Sequence, residues 1–433
     1  MPLRNTIAVV AGKAARVGAR VRGGGSALPG LVAETVDPGF LARALSEVRG
    51  GIVVVTGTNG KTTTTKMLVA LLRAHGKRVF TNPTGSNFTR GVISSMLPEL
   101  GRSGRLDTDM AVLELDEAHA LRFAAAVAPT HALLLNVARD QLDRFAEIDH
   151  TAALLEQLAG CTTSGVVLNR DDSFVARIAA TLRLGVTVRW FGVHAAIADR
   201  LPELLEQDVR FGDDFTAPPA TADDGLLRPV DDRAFDVVFG DDPVGPVTLR
   251  QRGLAAMINA TAATTTARLL LGGAFDPATA VTALAAVNPP FGRGETVMID
   301  GQPLELFLVK NPAGFTVALG TYTSTPVATM IAINDNDADG RDVSWLYDVD
   351  FSSLRARGVA WTSGVRAWDM ALRLEYDDVA VEQVEPDLTR ALDAFVAAYH
   401  DEPKRLFCTY TAMMALRRTL AARHGLAGFG EEG

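Results

Sequence analysis

The sequence has 433 residues, of which 48% are hydrophobic and 21% are charged, and its net charge is −9. A chain of this length is too long for one hydrophobic core, so we expect about three domains in a globular protein. The acidic balance argues against nucleic acid as a partner, because neutralising phosphates needs a surplus of Lys and Arg.

The only cysteines, Cys161 and Cys408, supply neither a disulfide framework nor a four-cysteine metal site, which fits a reducing compartment. The sequence lacks a run of about 18 uncharged apolar residues. The apolar run from Ile7 to Ala11 is too short for a signal-peptide core. We therefore expect a cytoplasmic protein that does not span the membrane.

The N-terminal 33 residues carry basic but no acidic side chains. We predict a helix over residues 6–21 and a glycine-rich connection over 23–30, and we assign residues 1–45 to an N-terminal basic helix and linker. Two interpretations stay open for this helix. It packs on the first domain with a solvated face, or it makes a peripheral contact with anionic lipid at the inner face of the plasma membrane. The basic residues are Arg4, Lys13, Arg16, Arg20 and Arg22.

Residues 51–65, GIVVVTGTNGKTTTT, predict a phosphate-binding loop between a buried strand and a helix. Glycines let backbone N–H groups approach phosphate, the helix N-terminus is positive, and Lys61 adds a charge. A hydroxyl of Thr62 or Thr63 can bind Mg²⁺. The common P-loop pattern has glycine where this chain has Val55, so the loop is a variant. The residues predicted to bind ATP here are Gly57, Thr58, Asn59, Gly60, Lys61, Thr62 and Thr63.

Further apolar segments separated by helical stretches predict a parallel sheet covered on both faces, and therefore an α/β fold. In such sheets ligands bind at the carboxyl ends of the strands. Glu114 ends one of these segments, and with Thr62 it can hold Mg²⁺ against nucleotide phosphates. The segments are residues 77–81, 109–115, 131–137, 165–169 and 186–191.

We assign residues 46–288 to a central ATP-binding domain and 289–433 to a smaller α/β C-terminal domain. Within the central domain, residues 194–246 are rich in aspartate, proline and glycine. This composition predicts an acidic insertion that leaves the sheet as a solvated excursion, with short strands at most. In the C-terminal domain, a strand over 328–333 is expected to lead into the acid-rich loop 334–351.

The loop T-G-T-N-G-K-T resembles the ATP loop of the Mur ligase family, whose members form amide bonds by phosphorylating a carboxylate. The segments KNPAGF (310–315) and DGRDVSWLYD (339–348) resemble one branch of that family, the synthetase subunits of lipid II isoglutaminyl synthase. The resemblance implies a Mur-ligase-like fold that uses ATP and Mg²⁺. It also implies that Glu114 is a magnesium ligand, that Asn259 meets the adenine, and that Arg293 faces the nucleotide across the domain cleft.

The sequence departs from the family pattern at its metal sites. Gln141 stands where the family has a histidine. The family's carbamoylated lysine has no counterpart, since no lysine lies between Lys77 and Lys310. A second Mg²⁺ is therefore either absent or held by acids such as Asp140 and Asp143. Several members of the branch carry a four-cysteine zinc ribbon, but the acidic insertion has no cysteine, so we expect no zinc.

The resemblance implies ATP-dependent amidation of the α-carboxylate of D-glutamate in the lipid II stem peptide, through an acyl-phosphate, to D-isoglutamine. Lys61 and Arg293 would stabilise the charge of phosphoryl transfer. Neither cysteine lies in a G-x-C-x-G elbow, so a separate glutaminase is expected to supply glutamine-derived ammonia. The resemblance implies that this partner is GatD-like and forms a heterodimer with the chain. The resemblance further implies that a C-terminal aspartate completes the partner's Cys-His pair. Our choice is Asp348, with Asp342 and Asp350 as alternatives.

Two other functions stay open. A Mur-type amino-acid ligase resembling polyglutamate synthetases would share the ATP loop but need no glutaminase. A non-catalytic ATP-binding scaffold of the cell-wall machinery is the other alternative. The presence together of Lys61, Thr62, Glu114 and Arg293 speaks against the scaffold, because a scaffold needs no groups for phosphoryl transfer.

Overall fold

The computed structural model describes residues 2–21, 27–46, 48–82, 88–101, 104–138, 148–195, 215–290, 292–322 and 326–424. The chain is organised by a nine-stranded sheet followed by a six-stranded sheet, each covered by helices. The two sheets lie on either side of the domain boundary predicted at 288. That boundary and the one at 45 stay predictions.

Three helices precede the first sheet: α1 (Pro2–Val21), α2 (Leu28–Val36) and α3 (Phe40–Leu45). One face of α1 is buried, with Ala8 and Val9 in the hydrophobic core of the domain. Gly12 lies in that face, where an added Cβ would come within 2.8 Å of Leu97. The helix therefore packs on the domain, as the first of its two interpretations expects, and it begins earlier than predicted.

The first sheet has the order β2-β3-β1-β4-β5-β6-β7-β8-β9 and is parallel from β2 to β7. Alternate residues of β1 enter different cores, with Val54 in one and Val53 in the other, because successive side chains of a strand point to opposite faces. Helices therefore cover both faces, as the near-continuous apolar strands predict. The strands are β1 (Ile52–Thr56), β2 (Val79–Thr81), β3 (Met110–Glu114), β4 (His131–Leu134), β5 (Gly165–Asn169), β6 (Thr187–Val193), β7 (Gly225–Pro229), β8 (Ala234–Phe239) and β9 (Asp242–Thr248).

The prediction that residues 194–246 leave the sheet is wrong for the part from 225 onward. β7 pairs in parallel with β6, and β8 and β9 continue the sheet in antiparallel register. Phe235 and Val237 are fully buried in the core. The aspartates misled the interpretation because several of them lie at the turns between these strands, where Asp is a turn former. Residues 196–214 of this segment lie outside the described residues.

The helix that follows β9 is rich in Ala and Thr and lies in the core. Its small side chains allow close packing on the sheet and on the helix after β1, and the buried hydroxyl of Thr264 donates to the carbonyl of Ala260, one turn earlier, at 2.7 Å. Among the described helices, the segment Leu254–Ala274 is long and apolar enough to cross a membrane by composition, but most of it is buried here. The helices of this half are α4 (Lys61–Ala74), α5 (Thr89–Met96), α6 (Glu117–Ala126), α7 (Ile148–Cys161), α8 (Ser173–Arg177), α9 (Leu254–Leu271) and α10 (Pro277–Ala286).

The second sheet has the order β10-β11-β15-β12-β13-β14 and is parallel except for the β10–β11 hairpin. On one face, Phe315 packs edge-on against Phe351 and tilted against Phe407, with ring centroids 5.1 and 5.3 Å apart. These rings hold the loop that follows β12. The elements are β10 (Arg293–Ile299), β11 (Gln302–Leu308), α11 (Pro312–Tyr322), β12 (Ala328–Ala332), β13 (Val359–Ser363), α12 (Ala367–Tyr376), β14 (Val381–Glu385), α13 (Leu388–Ala398), β15 (Lys404–Cys408) and α14 (Tyr410–His424).

Candidate active site

The predicted phosphate loop joins β1 to α4 at the carboxyl edge of the first sheet. Gly57 and Gly60 have φ angles of +131° and +87°, a region that other residues rarely adopt. A Cβ on Gly57 would also lie 2.9 Å from the backbone nitrogen of Asn136, just after β4. Glycine is therefore required twice: by the backbone conformation and by the adjacent strand exit.

Asn136 holds the loop from the neighbouring strand. Its side-chain oxygen accepts from the backbone N–H of Asn59 at 2.8 Å, and its amide donates to the Asn59 carbonyl at 3.0 Å. Its own carbonyl accepts from the N–H of Thr58 at 3.0 Å. The sequence interpretation assigned Asn136 no such role, although its position directly after an apolar strand was a usable signal.

Lys61 begins α4 and bends back over the loop. Its ammonium group donates to the Gly57 carbonyl at 2.6 Å and pairs with Glu117 at 3.1 Å. Glu117 is buried at the start of α6, where a carboxylate also faces the positive helix N-terminus. Glu117 was missed by the sequence interpretation. The available signal was a further acid three positions after Glu114.

Thr62 and Glu114 lie side by side at the end of β3. The Thr62 hydroxyl donates to Oε1 of Glu114 at 2.8 Å, and the backbone of Glu114 exchanges hydrogen bonds with the side chain of Asn82 at 2.8 and 2.9 Å. Burial raises the pKa of Glu114. The Thr62 hydrogen bond and the charges of Lys61, Arg293 and Lys310 oppose this rise.

This pair fits Mg²⁺. A hydroxyl and a carboxylate oxygen are hard donors of the kind that Mg²⁺ prefers, and they lie beside the lysine of a phosphate loop. The buried carboxylate also carries a charge that a cation would compensate better than a hydroxyl does. Thr62 and Glu114 would therefore hold the ion, as the sequence predicts. Their assignment as ligands stays a prediction.

A cleft opens between the phosphate loop and the second sheet. Asn259 of α9 borders it, and a Cβ on Gly60 would collide with the Asn259 side chain, so the two residues are in close approach. Arg293, at the start of β10, lines the opposite wall. The structure thus brings Gly60, Asn259 and Arg293 around one space, while their roles toward adenine and phosphate stay predictions.

The C-terminal part contributes two further residues to this site. The side-chain amide of Asn311 donates to Oδ1 of Asn59 at 3.1 Å, and the Asn311 oxygen accepts from the N–H of Gly314 at 2.7 Å at the start of α11. Lys310 lies close enough for its charge to lower the pKa of Glu114. Neither had an assigned role from sequence. The signal that could have indicated a role for them was their position at the start of the KNPAGF segment, which carries the family resemblance.

The three candidate aspartates of the C-terminal part do not line this cleft. They lie in the loop after β12, around a 3₁₀ helix at Ser344–Asp348. The carboxylate of Asp342 accepts from the N–H of Ser344, and that of Asp350 accepts from the N–H of Ser352, each at 2.8 Å. Asp348 ends the 3₁₀ helix and is exposed. The structure therefore places Asp348 outside the cleft that Arg293 lines.

Two sequence predictions concern further metals. Asp140, Gln141 and Asp143 lie outside the described residues, so the suggestion that acids hold a second Mg²⁺ stays open. Within the described ranges, no group of three or more His, Cys, Asp and Glu side chains is arranged to hold a metal ion. The expectation of no zinc stays a prediction.

Two family models match the chain. Residues 55–214 match the Mur ligase middle domain, and residues 308–413 match the MurT ligase C-terminal domain. The first match contains the phosphate loop and Glu114. The second contains Lys310, Asn311 and the candidate aspartates.

Relatives are similar along nearly the whole chain. In an alignment of 459 positions that covers 98% of each chain, the chain is 28% identical to the lipid II isoglutaminyl synthase (glutamine-hydrolyzing) subunit MurT of Streptococcus pneumoniae. The subunit of the same name from Staphylococcus aureus strain COL is 28% identical over 424 residues, with 90% of this chain and 92% of that one covered.

The fold is similar to that of a MurF ligase from Thermotoga maritima solved in complex with ADP. The TM-score is 0.63 at 16% identity, with 89% of this chain and 84% of that chain covered. At this identity the similarity shows the fold alone. The chain therefore has a Mur-ligase-like fold, with a match to the Mur ligase middle domain and a MurT-type C-terminal domain.

Proposed function

We propose that this chain uses ATP to amidate the α-carboxylate of D-glutamate in the stem peptide of lipid II. One observation carries the proposal. Side chains from both parts of the chain surround Glu114: Thr62 and Lys61 from α4, and Arg293 and Lys310 from the MurT-type part. Arg293 also lines the cleft beside the phosphate loop. The names of the similar subunits from Streptococcus pneumoniae and Staphylococcus aureus supply the substrate and the reaction.

The reaction has two steps. A carboxylate oxygen of the substrate attacks the γ-phosphorus of ATP, the bond to the oxygen shared with the β-phosphate breaks, and ADP leaves. The nitrogen of ammonia then attacks the acyl carbon, the bond to the phosphate oxygen breaks, and phosphate leaves while the nitrogen releases a proton to solvent. The product is D-isoglutamine.

The side chains stabilise the charge that moves during the first step. Lys61 exchanges its contacts with the Gly57 carbonyl and Glu117 for phosphate oxygens, and Arg293 approaches the transferred phosphoryl group from the opposite wall. Mg²⁺ held by Thr62 and Glu114 would neutralise part of the phosphate charge. Lys310 adds a second cation near Glu114.

The ammonia comes from a GatD-like glutaminase subunit. Cys408 is buried at the end of β15 and burial raises its pKa well above the usual thiol value, so its reactive thiolate is suppressed. Cys161 ends α7 and lacks the glycine-flanked elbow of glutaminase nucleophiles. The similar subunits are parts of glutamine-hydrolyzing enzymes. A separate subunit with a Cys-His pair is therefore the source of nitrogen.

Asp348 is the residue proposed to orient the partner's histidine. Asp348 is exposed at the end of the first 3₁₀ turn, and its competitors Asp342 and Asp350 are exposed in the same loop. In the assembled complex, Asp348→Asn should abolish glutamine-dependent amidation and keep ammonium-dependent amidation. Asp342→Asn and Asp350→Asn are its matched controls. Loss of glutamine-dependent amidation in only one of these control variants would overturn the choice of Asp348.

The central test is amidation by the purified chain alone. Supplied with ATP, Mg²⁺, lipid II and ammonium chloride, it should release phosphate and convert the stem peptide to the amidated product, followed by mass spectrometry. Replacing ammonium with glutamate or another amino acid tests the Mur-type amino-acid ligase. Nucleotide binding without turnover would support the scaffold instead, and no phosphate release with lipid II would overturn the proposal.

A peripheral membrane contact through the outer face of α1, in addition to the packing of its inner face on the domain, is also proposed, because lipid II lies in the bilayer. The face of α1 opposite the core exposes Ile7, Val10 and Val17, and the helix carries basic but no acidic residues. An apolar strip beside basic side chains is the pattern of interfacial helices. Such a contact would place the enzyme at the inner face of the plasma membrane.

Vesicle cosedimentation tests this contact. Binding to phosphatidylglycerol vesicles should exceed binding to phosphatidylcholine vesicles, and the double variant Val10→Glu/Val17→Glu should lower it by about tenfold or more. Leu184→Glu is the matched control because Leu184 is also exposed but lies far along the chain from α1. Equal binding of the double variant and the control would contradict the membrane contact.

A further inference from the structure

The strand that carries Arg293 is irregular at the point where it meets the cleft. Arg293 lies opposite Phe307 in the antiparallel pair of β10 and β11. Two positions later, Glu295 lies opposite Leu306, so two steps along β10 correspond to one step along β11. The residue between them, Gly294, has a φ angle of +89°, which glycine adopts readily. This is a β-bulge, and bulges beside active sites commonly redirect a side chain.

The bulge directs Arg293 and Glu295 to opposite faces of the second sheet. In a regular strand, residues two positions apart point to the same face, and residues opposite each other on paired strands share a face. Phe307 belongs to the core on one face and Leu306 to the core on the other. Arg293 therefore shares the face of Phe307 and lines the cleft, whereas Glu295 shares the face of Leu306.

On that second face, Glu295 is held by α14. Nε of Arg417 lies 3.2 Å from each carboxylate oxygen of Glu295, and Nη2 donates to Oε1 at 3.1 Å. Only 6% of the Arg417 side chain and 18% of the Glu295 side chain are exposed. Met413 and Leu416 of the same helix pack in the core with Leu306. A buried ion pair with several hydrogen bonds has little freedom to move, so it fixes the residue that follows the bulge.

The backbone before the bulge is fixed by hydrogen bonds of its own. The N–H of Arg293 donates to the Pro290 carbonyl at 3.0 Å, and the N–H of Leu308 donates to the Gly292 carbonyl at 2.7 Å. A Cβ on Gly292 would lie 2.9 Å from the Cβ of Leu308, so β11 is in close contact here. The direction of the Arg293 side chain is therefore set from both sides of the bulge, and Arg417 supplies the support on the far side.

This direction matters for the chemistry of the cleft. Arg293 lies close enough to Glu114 for its charge to oppose the rise in the pKa of that carboxyl, so its guanidinium faces the predicted Mg²⁺ site. A guanidinium stabilises the charge of a transferred phosphoryl group only where its N–H groups meet the oxygens. Misplacement by about 1 Å can lower a rate by about 100-fold.

We infer that Arg417 is a positioning residue for phosphoryl transfer. It holds Glu295, and through the bulge at Gly294 it directs Arg293 into the cleft from the opposite face of the sheet. This inference rests on the proposed function, since it requires Arg293 to act on the transferred phosphoryl group. It adds the buried ion pair between α14 and β10 as the support on which that action depends.

A double-mutant cycle between Arg417 and Arg293 tests the inference. Arg417→Met should lower kcat for phosphate release with lipid II and ammonium by about tenfold or more. It should change KM for ATP by less than about twofold, because Arg293 acts in the transition state. In the Arg293→Ala background, Arg417→Met should lower kcat by less than about twofold, since the group that it positions is already absent. Arg417→Lys keeps the charge without the planar fork, so its kcat should lie between those of wild type and Arg417→Met.

Arg405→Met is the matched control. Arg405 of β15 forms another buried ion pair in the same sheet, with Glu305 of β11 at 3.2 Å, and 5% of its side chain is exposed. That pair does not bond the residue that follows the bulge. Arg405→Met should therefore lower the urea midpoint of unfolding about as much as Arg417→Met does, while its kcat stays within about twofold of wild type.

The outcomes separate this inference from the proposed function. A loss of kcat by the same factor with and without Arg293, or a loss no larger than in Arg405→Met, would overturn the positioning role. If Arg417→Met does not fold, Arg417→Lys in both backgrounds provides the same comparison. No phosphate release by wild type would overturn the proposed function and this inference with it, whereas additive effects in an active enzyme overturn this inference alone.

Discussion

Asn311 of the MurT-type C-terminal part donates a 3.1 Å side-chain hydrogen bond to Asn59 of the phosphate loop, 252 positions away in the chain. Asn311 is fully buried, and its other side-chain atom bonds the start of α11. Asn59 is in turn held through its backbone by Asn136. The loop that binds nucleotide is therefore braced from both sheets, so the position of the C-terminal part and the geometry of the loop depend on each other.

Asn311→Ser is expected to weaken nucleotide binding. Serine keeps a short oxygen that can accept from the N–H of Gly314, but it is too short to reach Asn59, so the change removes the brace and retains the helix cap. A net hydrogen bond contributes about 1 kcal/mol, so KM for ATP should rise about fivefold. ATP titrations at saturating ammonium measure this. An unchanged KM would show that the brace does not act on the loop.

Lys61→Gln is expected to lower kcat for phosphate release by about 100-fold or more, because a preorganised cation beside the phosphates is lost. The control is Lys66→Gln, one turn further along the same helix and away from the phosphate loop. Phosphate release is measured with lipid II and ammonium. Similar rates for the two variants would remove Lys61 from the chemistry.

Thr62→Ala is expected to raise the Mg²⁺ concentration for half-maximal activity by about tenfold or more, because one of the two predicted protein ligands is removed. Thr62→Ser keeps the hydroxyl and should restore the wild-type requirement. The readout is a Mg²⁺ titration at fixed ATP. If serine and alanine behave alike, the hydroxyl is not a ligand and its bond to Glu114 serves structure only.

The Mg²⁺ requirement should also depend on pH through Glu114. Burial raises its pKa, so as the pH falls the carboxylate takes up a proton at a higher pH than an ordinary glutamate does. A protonated carboxyl does not bind the ion, so below that pKa the half-saturating Mg²⁺ concentration should rise about tenfold per pH unit. Calorimetric titration of Mg²⁺ and ADP into Glu114→Gln should show weak binding without this pH dependence.

Asp171→Asn should change how stability depends on pH. Burial raises the pKa of Asp171 from 3.8 to about 6. The native state therefore binds this proton more tightly than the unfolded chain does. The resulting contribution to stability is fully present below about pH 4 and is lost as the pH rises through about 6. The asparagine variant does not titrate there. Between pH 4 and 7, the free energy of unfolding of the variant should therefore increase relative to that of wild type by up to about 3 kcal/mol.

Urea unfolding at several pH values measures this difference. In the control Asp276→Asn, the free energy of unfolding relative to wild type should change with pH in the opposite direction. Hydrogen bonds from Thr279 lower the pKa of Asp276, so its contribution to stability is lost as the pH falls. Parallel pH profiles for wild type and Asp171→Asn would contradict the expectation. Asp171 accepts a hydrogen bond from the N–H of Val193 at 2.7 Å, which the asparagine oxygen can also accept.

The phosphate loop could be read from the residue order because its chemistry is local. A buried strand, two glycines, a lysine and two threonines follow one another within a few positions, so Ile52 to Thr63 alone predict a strand, a loop and a helix start. The apolar strands and their α/β order are similarly encoded by periodicity. For the acidic segment, composition indicated turns and short strands at most, and it did not reveal that β7 to β9 continue the sheet.

The supports of the site depend on long-range packing instead. Asn136 and Glu117 reach the loop because β4 and β3 flank β1 in the sheet, and strand order is a property of the folded sheet. Asn311 and Lys310 reach it because the second sheet closes over the first. Hydrogen bonds between residues so far apart in sequence produce no periodic pattern in the sequence. Each of them depends on which surfaces pack together in the folded protein and not on which residues are adjacent in the chain.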